Sequence, residues 1–277
     1  MRALLNSIHY ICRYLRAKSD AFQAFGSAGR SGTGLLPHSV VTPVATYSPW
    51  IADESFLRVY GRVRKATLVD KYRCYELWSL AKEAAKLPDG DFVEIGVWRG
   101  GTGCIIAAQA SISAPGDTVY LCDTFTGVVK AGDSDRHYQG GEHADTSEQA
   151  VLSLTQEIGL ENVRILAGVF PDQTGHAIES HRFRFCHIDV DVYQSGLNIL
   201  NWVWPRMVPG GIVVFDDYGY LSTGGITKLV NEQRAMGDRI MLHNLNGHAV
   251  FVKISSAPTI RNQVEVLSHA VSERTPA

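Results

Sequence analysis

Residues 91–110 read DFVEIGVWRGGTGCIIAAQA. Residues 91–97, DFVEIGV, form a short apolar run, which predicts a strand. Gly96, Gly100 and Gly101 then punctuate a turn, and an apolar, Ala-rich stretch follows as a helix. A strand, a glycine turn and a helix in that order mark the place where an open α/β sheet holds a nucleotide-like ligand, outside the carboxyl ends of its strands. The spacing is not G-x-G-x-x-G, and Glu94 stands ahead of the first glycine. An acidic residue there suits an ammonium group better than a pyrophosphate. The stretch therefore points to S-adenosylmethionine, whose amino acid end carries such a group.

The pattern extends outward on both sides. Before it, residues 67–87 carry apolar side chains at helical spacing and stop at Pro88-Asp89-Gly90. After it come strands at 118–125, 162–169, 183–191 and 210–218, alternating with helices at 147–160, 195–207 and 223–236. Alternation of this kind predicts a mostly parallel sheet with helices on both faces. Residues 241–254, MLHNLNGHAVFVKI, predict a closing antiparallel hairpin around an Asn-Gly turn. The expected architecture is a Rossmann-like α/β fold with a seven-stranded sheet. The expected organisation is an N-terminal extension over 1–60, a catalytic domain over 61–257 and a tail over 258–277.

Acidic residues recur where these strands end. Asp123 closes the second strand, 22 residues beyond Gly101. That is where an acid hydrogen-bonds ribose hydroxyls, although Asp123-Thr124 would also serve as a turn or cap. Glu94, Gly96, Val97, Gly101, Thr102, Asp123 and Thr124 make up the candidate cofactor set. Asp189-Val190-Asp191 and Asp216-Asp217 end two further strands, so they share the sheet edge with the glycine turn. Carboxylates gathered there repel one another unless a cation neutralises them. Hard oxygen donors favour Mg²⁺, with Mn²⁺ as an alternative. Asp189, Asp216 and Asp217 are the candidate ligands, and Asp189 or Asp191 the candidate base.

Five blocks, DGDFVEIGVWRGG, CDTFTGV, LAGVFPDQT, HIDVDVYQSGLNIL and VPGGIVVFDDYG, occur in this order between about Thr67 and Val230. Together they resemble the macrocin O-methyltransferase family, which methylates sugar hydroxyls in antibiotic biosynthesis. The resemblance implies that Glu94 and Gly96 touch S-adenosylmethionine and Asp123 its ribose. It also implies Mg²⁺ on Asp189, Asp216 and Asp217, and a general base within the Asp-x-Asp pair. The sequence departs from the family after that pair, where Leu-Tyr-Glu-Ser-Thr is usual and Val192-Tyr193-Gln194-Ser195-Gly196 stands here.

Residues 128–147 are long, polar and Gly-containing, which suits a lid over the acceptor. His137, Tyr138, Glu142 and His143 are its candidate acceptor contacts. Two rival functions share parts of the pattern. A metal-dependent glycosyltransferase would use the Asp-x-Asp motif alone, and a non-catalytic relative would keep the fold without the chemistry.

Composition narrows the partners. The chain has 26 basic and 28 acidic residues and a net charge of −2, which excludes a basic nucleic-acid footprint. Five scattered cysteines, none in a C-x-x-C pair, fit a reducing, cytoplasmic setting. No stretch approaches a membrane span. Residues 1–18 read as a helix that packs on the body or on a second subunit, and residues 25–48 as a Gly/Ser/Pro-rich linker. An extension beyond a self-sufficient core leads us to expect a homo-oligomer built on dimers.

Overall fold

A computed structural model describes residues 45–254. The expected N-terminal helix, most of the Gly/Ser/Pro-rich linker, Cys12 and the 258–277 tail lie outside the described residues. Within them stand six α-helices: α1 (Glu54–Val63), α2 (Lys71–Ala84), α3 (Gly101–Ser113), α4 (Glu148–Ile158), α5 (Tyr193–Val203) and α6 (Gly224–Gln233). The strands are β1 (Asp91–Ile95), β2 (Val119–Asp123), β3 (Val163–Ala167), β4 (Phe183–Ile188), β5 (Met207–Phe215), β6 (Arg239–His243) and β7 (Ala249–Lys253).

They form one sheet in the order β3-β2-β1-β4-β5-β7-β6. The first five strands run parallel, while β7 is antiparallel to both β5 and β6. The centre of the parallel part is buried on both faces, as helix-covered sheets are: every residue of β4, and Phe92 to Ile95 of β1, is buried, while the edge strand β3 is half-exposed. Side chains alternate across these strands. Val93, Ile95, Cys186, Ile188 and Phe215 pack toward α5 and α6. Phe92, Phe185 and Val214 pack toward α2 and α3.

Helix starts follow local chemistry. Asp53, Asp70 and Ser147 cap α1, α2 and α4 by accepting from the backbone amides of Phe56, Tyr72 and Ala150. α3 instead starts from Gly100 in the left-handed conformation, with no side-chain cap. Its first ten residues are all buried, because α1, α2 and α4 cover the sides that the sheet leaves open. This enclosure explains its run of small and apolar residues, interrupted only by Gln109.

Two expectations change in detail. The boundary drawn at residue 60 falls inside α1, whose Phe56 and Val63 are fully buried against Cys74, Trp78 and Ile105. α1 therefore packs on the main domain. The hairpin connection is five residues long, Asn244 to His248, rather than a two-residue Asn-Gly turn, with Leu245 and Gly247 in the left-handed region. It is longer because its polar side chains are spent on a helix across the sheet edge, as described below. Among the described residues no helix is long and apolar enough to cross a membrane. Cys74, Cys104, Cys122 and Cys186 are free and buried, and burial lifts the Cys104 thiol to about 12.

Candidate active site

The chain order reverses beside β1, which lies between β2 and β4. Connections from β1 and from β4 leave the sheet in opposite directions there and open a crevice at the strand carboxyl ends. A cleft of about 310 Å³ occupies that place. Ile95, Gly96, Val97, Trp98 and Thr102 line one side, Asp123 and Thr124 another, and Asp189, Asp191, Asp216 and Asp217 a third. The five strand-end acids and the glycine turn thus share one cavity.

Gly96 fixes how closely these parts approach. Its φ is +91°, and a Cβ placed there would overlap the backbone carbonyl oxygen of Asp189. Only glycine allows the turn and the β4 end to touch in this way. The Asp189 amide donates to the Ile95 carbonyl at 2.9 Å, which continues the β1–β4 ladder to the edge of the cleft.

Asp123 lines the cleft and also organises its rim. Its carboxylate accepts from the Trp98 amide at 2.8 Å and from the Phe125 amide at 2.7 Å. Burial raises its pKa, and these backbone donors partly counter the rise. The turn role and the ligand-facing role coexist, because each oxygen keeps a second lone pair.

Glu94 does not line the cleft. It sits one residue before the strand end, so the pleat turns it sideways toward α2 and α3. It is fully buried and pairs with His187 Nδ1 at 2.7 Å, directly opposite on β4. A direct ammonium contact from Glu94 is therefore corrected to a place beneath the cleft floor. Gly101 also stays off the lining, packed against the Ala66 carbonyl.

The acids fall into distinct environments. One carboxylate oxygen from each of Asp189, Asp216 and Asp217 lies within 4.8 Å of the others. Burial and the neighbouring acids hold Asp189 and Asp217 well above the usual carboxylate range. Three hard donors that resist ionising together are what a divalent cation relieves. Asp216 differs. Burial opposes its charge, but the hydrogen bond from His248, the nearby His187 imidazole and the Arg73 guanidinium override burial and hold it far below the usual range. Burial likewise disfavours charge on His187, yet Asp216 and Glu94 lift it to about 9. His248 is raised in the same way by Asp216 and Glu76.

Asp191 stands apart from that trio. Its φ is +64°, a strained conformation of the kind that gathers at functional sites. Its amide donates to Asp217 Oδ2 at 3.0 Å, and its own carboxylate faces the 128–147 segment. There the Tyr138 hydroxyl donates to Oδ1, and His143 Nε2 lies 4.0 Å from Oδ2. That segment is pinned at its base. Asp135 accepts from the Tyr193 amide at 2.9 Å, Ser195 donates to the Val129 carbonyl at 2.7 Å, and the Trp98 indole donates to Asp145 at 2.8 Å.

Of the four acceptor contacts expected from this segment, Tyr138 and His143 line the cleft. His137 is exposed, and Glu142 caps a turn by accepting from the Gln139 and Gly140 amides, so neither reaches it. Arg73, Trp98, Phe170 and Tyr220 also line the cleft and were not anticipated. Buried His187 and His248 stand beside Asp216, half-buried Glu76 holds His248 from behind, and all three were missed as well. Only His187, inside the HIDVD block, carried a sequence cue.

Comparison with known proteins agrees with this geometry. The macrocin-O-methyltransferase (TylF) family profile matches residues 64–252. The chain is 36% identical over 142 residues to 8-demethyl-8-(2,3-dimethoxy-alpha-L-rhamnosyl)-tetracenomycin-C 4'-O-methyltransferase of Streptomyces olivaceus, covering 47% of this chain and 53% of that protein. It is 34% identical to mycinamicin III 3''-O-methyltransferase of Micromonospora griseorubida, covering 47% of this chain and 55% of that protein. The chain thus spans about half the length of the curated relatives it matches. Among solved structures, the O-methyltransferase NovP superposes with a TM-score of 0.59 at 23% identity, covering 69% of this chain and 83% of NovP. The calicheamicin methyltransferase CalS11 superposes at 0.58 and 15% identity, covering 79% and 99%. These two likenesses show the shared fold. The profile match takes in the cleft, its acids and the buried groups behind them over more than half of the sequence, and the chain belongs to the macrocin-O-methyltransferase family.

Proposed function

We propose that this chain is an S-adenosylmethionine-dependent, divalent-metal-assisted O-methyltransferase acting on a hydroxyl of a sugar or a similar small natural-product acceptor. One observation carries the reading. The Gly96 turn, Asp123 and the Asp189/Asp216/Asp217 trio open into the same cleft. S-adenosylmethionine would lie along the turn, with its ribose at Asp123 and its amino acid end near Gly96 and Thr102. Mg²⁺ on the three aspartates would lower the pKa of a bound acceptor hydroxyl.

The remaining work falls to the protein's own groups. The positions of Asp189 and Asp191 support different roles for the two acids. Asp189 converges with the metal trio, whereas the Asp191 carboxylate faces the lid, so Asp191 is the group we assign to take the acceptor's proton. Tyr138 occupies that carboxylate with its own hydroxyl and would hand it over to the acceptor. Trp98, Tyr138, His143 and Tyr220 give the cleft mouth the aromatic walls on which a sugar ring packs.

Calorimetry with S-adenosylhomocysteine, followed by transfer of a labelled methyl group to a panel of glycosides, tests the reading. Binding with metal-dependent transfer is expected. Stabilisation by a sugar nucleotide but not by S-adenosylhomocysteine would favour the glycosyltransferase alternative instead. Absence of both binding and transfer would favour a non-catalytic relative. We also propose a homo-oligomer, for which light scattering at micromolar concentration should give a multiple of the 30.4 kDa chain mass.

A further inference from the structure

Asp216 belongs to two constellations at once. On the cleft side it stands with Asp189 and Asp217, and on the buried side with His187 and His248. A chain of contacts runs behind it. His248 Nε2 meets Asp216 Oδ1 at 2.8 Å, and His248 Nδ1 meets Glu76 Oε2 at 2.9 Å. Asn246 donates to the same Glu76 oxygen at 2.5 Å, and Asn244 donates to the other. The second Asp216 oxygen receives Arg73, whose Nε is itself held by Asp70 at 2.9 Å.

We propose that Glu76 and His248 are positioning residues for the metal trio, a role that rests on the metal reading given above. The reasoning is geometric. A free aspartate side chain rotates about two bonds, and a ligand set loses affinity when one member must first be ordered. Here both Asp216 oxygens are held, Oδ1 by His248 on the buried side and Oδ2 by Arg73 in the cleft wall, which leaves only its remaining lone pairs for the cleft. One helix supplies both grips. Arg73 and Glu76 are three residues apart and therefore share a face of α2. Arg73 acts directly, while Glu76 acts through an imidazole that it prevents from turning.

The loop from Asn244 to His248 delivers that imidazole, which accounts for three polar side chains converging on a single glutamate. His187 adds a wall on the same side. Its Nδ1 is tied to Glu94, and its Nε2 stands 3.8 Å from Asp216 Oδ1 with no hydrogen-bond partner. Carboxylate–imidazole pairs behind a metal ligand orient it, and their loss typically lowers metal affinity ten- to a hundredfold.

The test uses the full chain and Mn²⁺ as the probe, titrated by calorimetry and by electron paramagnetic resonance. Wild type, Glu76→Gln, His248→Gln and Phe56→Ala are compared, each also titrated with S-adenosylhomocysteine in metal-free buffer. Glu76→Gln keeps the shape of the side chain, so a folded variant is available even if His248→Gln fails. The expected result is a loss of Mn²⁺ affinity of roughly tenfold or more in both network variants, with S-adenosylhomocysteine affinity unchanged. Phe56→Ala, remote from Asp216, should lower the melting temperature and leave Mn²⁺ affinity alone. Wild-type Mn²⁺ affinity in Glu76→Gln would overturn the positioning role with the metal reading intact. Parallel losses of Mn²⁺ and S-adenosylhomocysteine affinity would overturn it too, because a general loosening would then explain both. A wild-type protein that binds no Mn²⁺ would instead remove the metal reading itself.

Discussion

Replacing Gly96 by alanine should damage stability and the site together, and the size of the effect follows from two separate costs. The residue sits at φ +91°, where an L side chain is strained. Strain of this kind costs about 1–3 kcal/mol. The new Cβ would also overlap the Asp189 carbonyl oxygen, so β1 and β4 must part at their carboxyl ends. Overpacking of a tight site adds about 1–3 kcal/mol. The sum, about 2–6 kcal/mol, corresponds to a fall in melting temperature of roughly 4–24 °C for a domain of this size.

Gly116→Ala isolates the first cost, since Gly116 has φ +105° and open space around its Cβ position. Differential scanning fluorimetry on both variants, with Mn²⁺ and S-adenosylhomocysteine titrations, separates strain from overlap. Gly96→Ala should melt lower than Gly116→Ala and lose affinity for both probes, while Gly116→Ala keeps both. Equal melting temperatures with undiminished binding in Gly96→Ala would refute the close approach of the turn to Asp189.

Other outcomes follow from single contacts. Asp123→Asn should weaken S-adenosylhomocysteine about tenfold or more by calorimetry, because hydrogen bonds to a charged acceptor contribute about 1.5–3 kcal/mol. Asp217→Asn should reduce turnover far more than cofactor affinity, and EDTA should abolish methyl transfer until Mg²⁺ is restored; full turnover in a verified metal-free sample would contradict the role given to the trio. Tyr138→Phe removes the lid's hold on Asp191, so steady-state kinetics should change in kcat or KM while S-adenosylhomocysteine affinity stays constant. Phe56→Ala should cost about 3–5 kcal/mol in denaturant unfolding, whereas a dispensable extension would lose almost nothing.

Much of the fold could be read in advance because its central parallel strands are buried on both faces, which leaves mainly apolar runs between glycine, proline and aspartate punctuation. The strand-end position of Asp123, Asp189, Asp191, Asp216 and Asp217 was legible for the same reason. Glu94 was misread because a one-residue step along a strand turns a side chain from the cleft to the helical layer, and a motif does not display that rotation. His248 and Glu76 were invisible because they meet across 172 residues of sequence. In the lid, Tyr138 and His143 could not be told from His137 and Glu142, since backbone turns rather than residue type decide which side chains point inward. α1 was hidden by its neighbours: its polar outer face and the adjoining linker composition masked the buried Phe56 and Val63.

The grip on Asp216 has a bearing on the order of events during synthesis. Arg73 and Glu76 are made first, the three aspartates follow by residue 217, and His248 comes only just before the last strand. Contacts so far apart in the chain close late, because a long loop must be ordered before they form. A nascent chain stopped at residue 238 would hold every acid of the trio and yet lack the imidazole that steadies one of them. On the metal reading proposed above, high-affinity capture of a divalent ion would wait until β7 has docked against β5, so a half-made protein would carry a cluster of acids but not yet a finished receptor for metal.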